Sequence, residues 1–175
     1  SGLPFFLEVL TLDDAKDKSI KAKNKPKAVI GATMEFSKPR YNADVLKMEF
    51  PVLASHVRGL KSPKKIPEDK YAYDVAHAKK YLKLMSDKSK VPIIFLSAGV
   101  DMAVYCEMLG LAGEAGCRYL GVLCGRATWK HAVKIYATQG PKALEQWCHA
   151  EGRANLTKLI GVLKSNASRL PTFGQ

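Results

Sequence analysis

Strand-length apolar runs alternate with helical stretches four times along this chain, and that alternation constrains its fold more than any other feature. The runs are residues 3–10 (LPFFLEVL), 44–52 (DVLKMEFPV), 91–97 (VPIIFLS) and 119–124 (YLGVLC). Each is rich in β-branched or aromatic residues and largely apolar on both faces, as parallel strands covered on both sides are. Between them the period becomes helical. Residues 25–36 put Val29, Thr33 and Phe36 on one face, with Pro26 near the start. A helix opening at Pro67-Glu68-Asp69 places Tyr71, Val75, Ala78, Leu82 and Met85 in register. Residues 101–115 align Met102, Cys106, Leu109 and Gly113 before a stop at Gly116. Helices over 128–138, 142–150 and 155–165 follow, with a break at Gly140-Pro141. This order requires a parallel sheet with right-handed crossovers, either an open doubly wound sheet or part of a (β/α)8 barrel.

A complete barrel needs about 250 residues, and this chain has 175. Length separates the two architectures only partly: the chain reads as a single segment of four βα units over 1–175, without an internal boundary, which would make a (β/α)4 half of a barrel. Only Ser1-Gly2-Leu3 precede Pro4-Phe5 of the first strand, so further sequence is expected upstream. The longest uncharged apolar run, 91–100, is about half of the ~20 residues of a membrane helix, and nothing resembles a signal peptide. Cys106, Cys117, Cys124 and Cys148 lack metal-ligand or CxxC spacing and are expected as buried reduced thiols, with cytoplasm as the compartment. With 28 Lys+Arg against 16 Asp+Glu the net charge is +12. The basic patches at 16–27 and 61–65 lack interleaved aromatics and match no nucleic-acid module, so they are expected as solvated loops. An acidic or phosphorylated small substrate fits this charge better than a nucleic acid or a membrane.

In parallel α/β folds the chemistry collects at the carboxyl ends of the strands. Lys47 interrupts an apolar strand there, with Glu49 on the same face by alternation. A lysine desolvated in such a strand is expected to have a lowered pKa and to serve as an amine nucleophile toward a carbonyl. A Lys47–Glu49 ion pair, or a snorkelling lysine, is the structural alternative. Glu8 is embedded likewise in PFFLEV, either as a proton-transfer group or as a partner for another strand's cation. Ser97-Ala98-Gly99 and Cys124-Gly125-Arg126 each end a strand in a small-residue turn before a helix. Backbone N–H groups there, with the arginine fork, would cradle an anion. His56, His77, His131 and His149 have no ligand or triad spacing. Cys124, Trp129 and Trp147 are expected to pack rather than react.

Taken in order, PFFLE, DVLKMEFPV, LSAGV and GVLCGRATW resemble the second half of the tagatose 1,6-bisphosphate aldolase family, class I enzymes with a (β/α)8 barrel. The resemblance covers nearly the whole chain and implies that its strands are five to eight of that barrel. It implies that Lys47 forms the Schiff base with Glu8 working beside it. Ser97, Gly99, Leu123, Gly125 and Arg126 would then contact substrate and phosphate. It further implies cleavage of the ketohexose bisphosphate to dihydroxyacetone phosphate and glyceraldehyde 3-phosphate, with neither a metal nor another cofactor. Strands one to four, with a further lysine and an aspartate of the site, would lie outside this chain, in a longer polypeptide or a homo-oligomer. The basic loop over 55–65 looks longer than the family's. Three alternatives stay open: an aldolase for a sulfonated or other anionic ketose phosphate, a non-catalytic phosphate-binding half-barrel, and a charge-driven nucleic-acid binder.

Overall fold

A computed structural model of the chain describes residues 2–169. Its strands are β1 (Phe6–Val9), β2 (Val45–Met48), β3 (Val57–Arg58), β4 (Tyr73–Asp74) and β5 (Ile93–Phe95). β1, β2 and β5 form a parallel sheet in that order, with Glu8 opposite Lys47 and Lys47 opposite Ile94. β3 and β4 make a separate two-residue parallel pair that the sequence pattern does not announce.

The fourth apolar run departs from expectation. It lies along β5 through Leu120 N–H to Ile93 O (2.9 Å), Phe95 N–H to Gly121 O and Leu123 N–H to Phe95 O (both 3.1 Å). Only Phe95 and Val122 form a strand bridge, however. Glycine contributes no side chain to pack and weakens a strand interior, and Gly121 sits in the middle of this run.

Six α-helices accompany the strands: α1 (Lys18–Phe36), α2 (Val75–Lys88), α3 (Met102–Glu114), α4 (Arg126–Gln139), α5 (Pro141–Trp147) and α6 (Arg153–Asn166), with a π-type turn over Cys148–Gly152. Two begin elsewhere than the sequence suggests. α1 starts at Lys18, so Pro26 is interior and Lys18 to Lys27 are helical rather than loop. Asp17 caps it by accepting from Ser19 N–H at 2.7 Å. Ala22, Pro26, Val29, Ile30 and Thr33 form one continuous buried stripe along it. Packing of that stripe outweighs the ~3 kcal/mol that an interior proline costs.

α2 starts at Val75 rather than at Pro67, because Glu68–Lys70 closes as a 3-10 turn and Tyr73–Asp74 is drawn into pairing with β3. Its capping residue is Asp74, which accepts from His77 N–H at 2.9 Å. The anticipated register of Ala78, Leu82 and Met85 holds, and all three are fully buried.

The helices cover one face of the sheet. α1 packs on α2, α2 on α3, and α3 on α6. Between them and the strands lie Leu46, Met48, Ile93 and Phe95. Phe50 stacks on Phe95 at 4.3 Å, and the buried hydroxyls of Tyr105 and Tyr119 donate to Phe95 O and Leu109 O. Burying each large side chain here contributes about 1.5–3 kcal/mol. α3 and α6 approach closely at Gly113, where a Cβ would collide with the Asn166 side chain.

Two thiols, Cys106 and Cys117, are buried as expected, whereas Cys124 is half-buried and Cys148 is exposed after α5. Trp147 is buried, but Trp129 is 48% exposed and does not pack as the sequence suggests. No helix among the described residues is long and apolar enough to cross a membrane.

Candidate active site

Alternation along the strands carries one set of side chains away from the helices. Glu8 and Lys47 share a row of the sheet, and two residues on Glu49 points the same way. An open cleft of about 430 Å³ lies over this face. Glu8, Lys47 and Glu49 line it together with Ser97, Leu123, Gly125 and Arg126. Four stretches remote in sequence are thus brought to one surface at the carboxyl ends of the apolar runs. Gly99 is not on the cleft wall; it lies beneath the Arg126 guanidinium, 3.4 Å from Cζ measured from the place a Cβ would take.

Lys47 is not isolated among apolar groups. Its Nζ donates to Glu8 Oε2 at 2.9 Å, and the two side chains are 17% and 47% exposed. The partner is therefore Glu8 and not Glu49. Glu49 is taken by Lys25 of α1 at 2.9 Å, and it accepts from Thr11 Oγ1 at 2.7 Å and from Thr11 N–H at 3.0 Å. Burial pushes the Glu49 carboxyl up, but the Lys25 ammonium and the hydrogen bonds from Lys25 and Thr11 outweigh it, and the net displacement is downward. Glu49 is thus an ionised structural carboxylate that ties α1 and the segment after β1 to the end of β2.

The two turns differ in build. Ser97 O accepts from Val100 N–H at 3.2 Å, and the residues between them, Ala98 (φ 49°) and Gly99 (φ 74°), are both left-handed. For alanine that conformation costs about 1–2 kcal/mol. At the second turn Gly125 precedes the first residue of α4, Arg126, and its carbonyl accepts from Thr128 N–H at 2.8 Å. A Cβ at Gly125 would come 2.9 Å from Trp129 Nε1, so glycine lets the indole close over the turn. Among the described residues no carboxylate lies within ion-pair distance of Arg126.

Three groups at the site lie outside the strand-end residues that the sequence marks. Trp129 lines the cleft. Lys130 Nζ donates to Gly99 O at 3.0 Å and pairs with Asp101 at 2.5 Å. Hydrogen bonding from Lys130 holds the Asp101 carboxyl below its ordinary range. The helical period of α4, which brings positions 126 and 130 to one side, would have linked Lys130 to the site. Thr11 could not have been found, because its contact depends on the path of the loop after β1. Burial raises the Cys124 thiol, as fits a packed side chain. His56 is buried beside Ser55, with its pKa lowered by desolvation. Among the described residues no three His, Cys, Asp or Glu side chains are grouped to hold a metal ion.

Residues 1–131 match the DeoC/LacD family aldolases. The chain belongs to that family. The tagatose 1,6-diphosphate aldolase of Staphylococcus aureus strain MSSA476 is 42% identical over 169 residues, which is 95% of this chain and 50% of that protein. The proteins of the same name in strains MW2 and JH9 match to the same extent. The chain therefore spans about half the length of the curated relatives it matches. Its parallel strands and flanking helices are consistent with the barrel of this aldolase family.

Proposed function

We propose that this chain is a single (β/α)4 unit, strands five to eight of a DeoC/LacD aldolase barrel, and that it carries the Schiff-base side of a class I aldolase acting on tagatose 1,6-bisphosphate. The observation that carries the proposal is the Lys47–Glu8 pair at 2.9 Å, on adjacent parallel strands, in one cleft with Ser97, Leu123 and Arg126. The names of the relatives support the substrate. The open edge of β1 and relatives of twice this length support closure of the sheet by four further strands.

Attack on the ketose carbonyl requires the lysine to shed a proton, and the Glu8 carboxylate is placed to take it. Lys47 Nζ then bonds to the carbonyl carbon, and the carbinolamine expels its oxygen as water once a carboxyl group has protonated it, leaving an imine. A base removes the proton of the C4 hydroxyl. The C3–C4 bond breaks, its electron pair moves into the imine as an enamine, and the aldehyde departs as glyceraldehyde 3-phosphate. Protonation of the enamine and addition of water release dihydroxyacetone phosphate and return the amine. Arg126 and the backbone N–H groups of the Ser97–Gly99 and Gly125 turns hold a phosphate throughout. No step calls on a metal.

Borohydride with dihydroxyacetone phosphate tests this directly. A mass increment is expected on Lys47 and absent from Lys47→Met; an adduct confined to another lysine refutes the assignment. The exposure of Leu10 (61%) and Leu123 (53%) on the cleft favours a second reading for this length alone, phosphosugar binding without turnover. A coupled triose-phosphate assay separates the two.

A further inference from the structure

The turn at Ala98-Gly99 is held in an unfavourable backbone form, and the structure shows what holds it. Both residues are left-handed, and one of them is not glycine. α4 grips this turn from two sides with residues one helical turn apart. Arg126 lays its guanidinium over Gly99, with Cζ 3.4 Å from where a Cβ would stand. Lys130 donates to the Gly99 carbonyl at 3.0 Å. The same ammonium is paired with Asp101, which closes the loop from the turn back to α4. Asp101 precedes the first residue of α3 and makes no side-chain cap there, so its carboxylate is directed to Lys130 instead. Behind it His131 Nε2 lies 3.8 Å from Asp101 Oδ1, and His131 Nδ1 lies 3.2 Å from Glu151 Oε1.

We infer that Lys130, held by Asp101, is a positioning residue that keeps the Ala98-Gly99 turn left-handed and thereby presents the backbone N–H of Ala98, which lines the cleft beside Ser97, to a substrate phosphate. The inference rests on the proposed anion site at this turn. Lys130 acts through its hydrogen bond to the Gly99 carbonyl, and its charge is already matched by Asp101. This distinguishes it from a lysine that meets the phosphate itself. Freeing such a lysine from its carboxylate would strengthen anion binding, whereas loosening a positioning residue weakens it although the chain gains positive charge.

The test uses the 175-residue chain, isotopically labelled, with inorganic phosphate and dihydroxyacetone phosphate as probes. Carbon chemical shifts of Ala98 report its backbone form, and titration reports affinity. In Lys130→Met the Ala98 shifts should move away from left-handed values and phosphate affinity should fall about tenfold. Lys130→Arg, which keeps a long cationic donor, should recover affinity to within about threefold. Asp101→Asn should weaken binding severalfold. Unchanged Ala98 shifts in Lys130→Met, or tighter phosphate binding in Asp101→Asn, overturns the inference. If the unaltered chain binds neither probe while Ala98 still moves in Lys130→Met, the anion site fails and the hold on the turn stands. Asp101→Asn and Lys130→Arg keep the question answerable if Lys130→Met does not fold.

Discussion

The two faces of the sheet are built from alternate residues of the same strands and have opposite characters. On the helix side Leu46, Met48 and Phe95 have no measurable exposure and belong to one continuous apolar core. On the other side Phe6 (46%), Leu10 and Leu123 stand open to solvent around a lysine–glutamate pair. Alternation along a strand assigns stability to one set of positions and chemistry to the next. Residues adjacent in sequence, such as Leu46 and Lys47, should therefore respond to substitution in different observables.

Lys47→Met tests that division most severely. It should abolish borohydride trapping while changing unfolding free energy by less than about 1 kcal/mol, since a part-exposed ion pair contributes little. Substantial unfolding of this variant would show that the open face also carries the fold. Phe95→Ala should do the reverse and destabilise by about 3–5 kcal/mol in denaturant titrations; a loss under 1 kcal/mol would mean that the helix layer is loosely packed. Arg126→Lys keeps the charge and loses the fork, and phosphate affinity should drop by about 1.5–3 kcal/mol. Equal affinity of the two proteins would remove the arginine from the site.

The smallest effect sharpens the boundary between the faces, because Glu49 belongs to the open face by direction and to the fold by its bonds. Its carboxyl is held below the ordinary value in the folded chain. The stability it supplies is therefore complete above the unfolded pKa, near 4.5, and is lost as pH falls through the depressed folded value. Glu49→Gln should cost about 1–3 kcal/mol at pH 7, and the difference from the unaltered chain should shrink below pH 4.5. A gap that is constant down to pH 3 would detach Glu49 from the Lys25 and Thr11 network.

The sequence made the helix-side face legible because Ala78, Leu82 and Met85, or Met102, Cys106 and Leu109, repeat at a period that only a buried helix face requires. Glu8, Lys47, Ser97 and Arg126 were legible for a different reason. Each is a polar residue at the end of an apolar run, where burial without purpose is costly. What stayed hidden depends on contacts between segments. Pro26 reads as a helix start until Ala22 is seen in the same buried stripe. Pro67 reads as the start of α2 until β4 pairs with β3. Alternation offers Lys47 a partner in Glu49 until the register sets Glu8 opposite it, and Lys130 and Thr11 acquire partners only through the paths of neighbouring loops.

The contact between α3 and α6 at Gly113 restricts the order in which this protein can change. Any side chain at 113 meets Asn166, and trimming Asn166 to alanine does not clear the way, since Asn166 Cβ itself lies 2.6 Å from the position of a new Cβ. Only glycine at 166 removes those side-chain atoms, at the loss of the Asn166 Nδ2 bond to Val162 O. A lineage can therefore move the glycine from α3 to α6 by altering 166 first, but the opposite order passes through a clash. The glycine can migrate across the contact without ever leaving it.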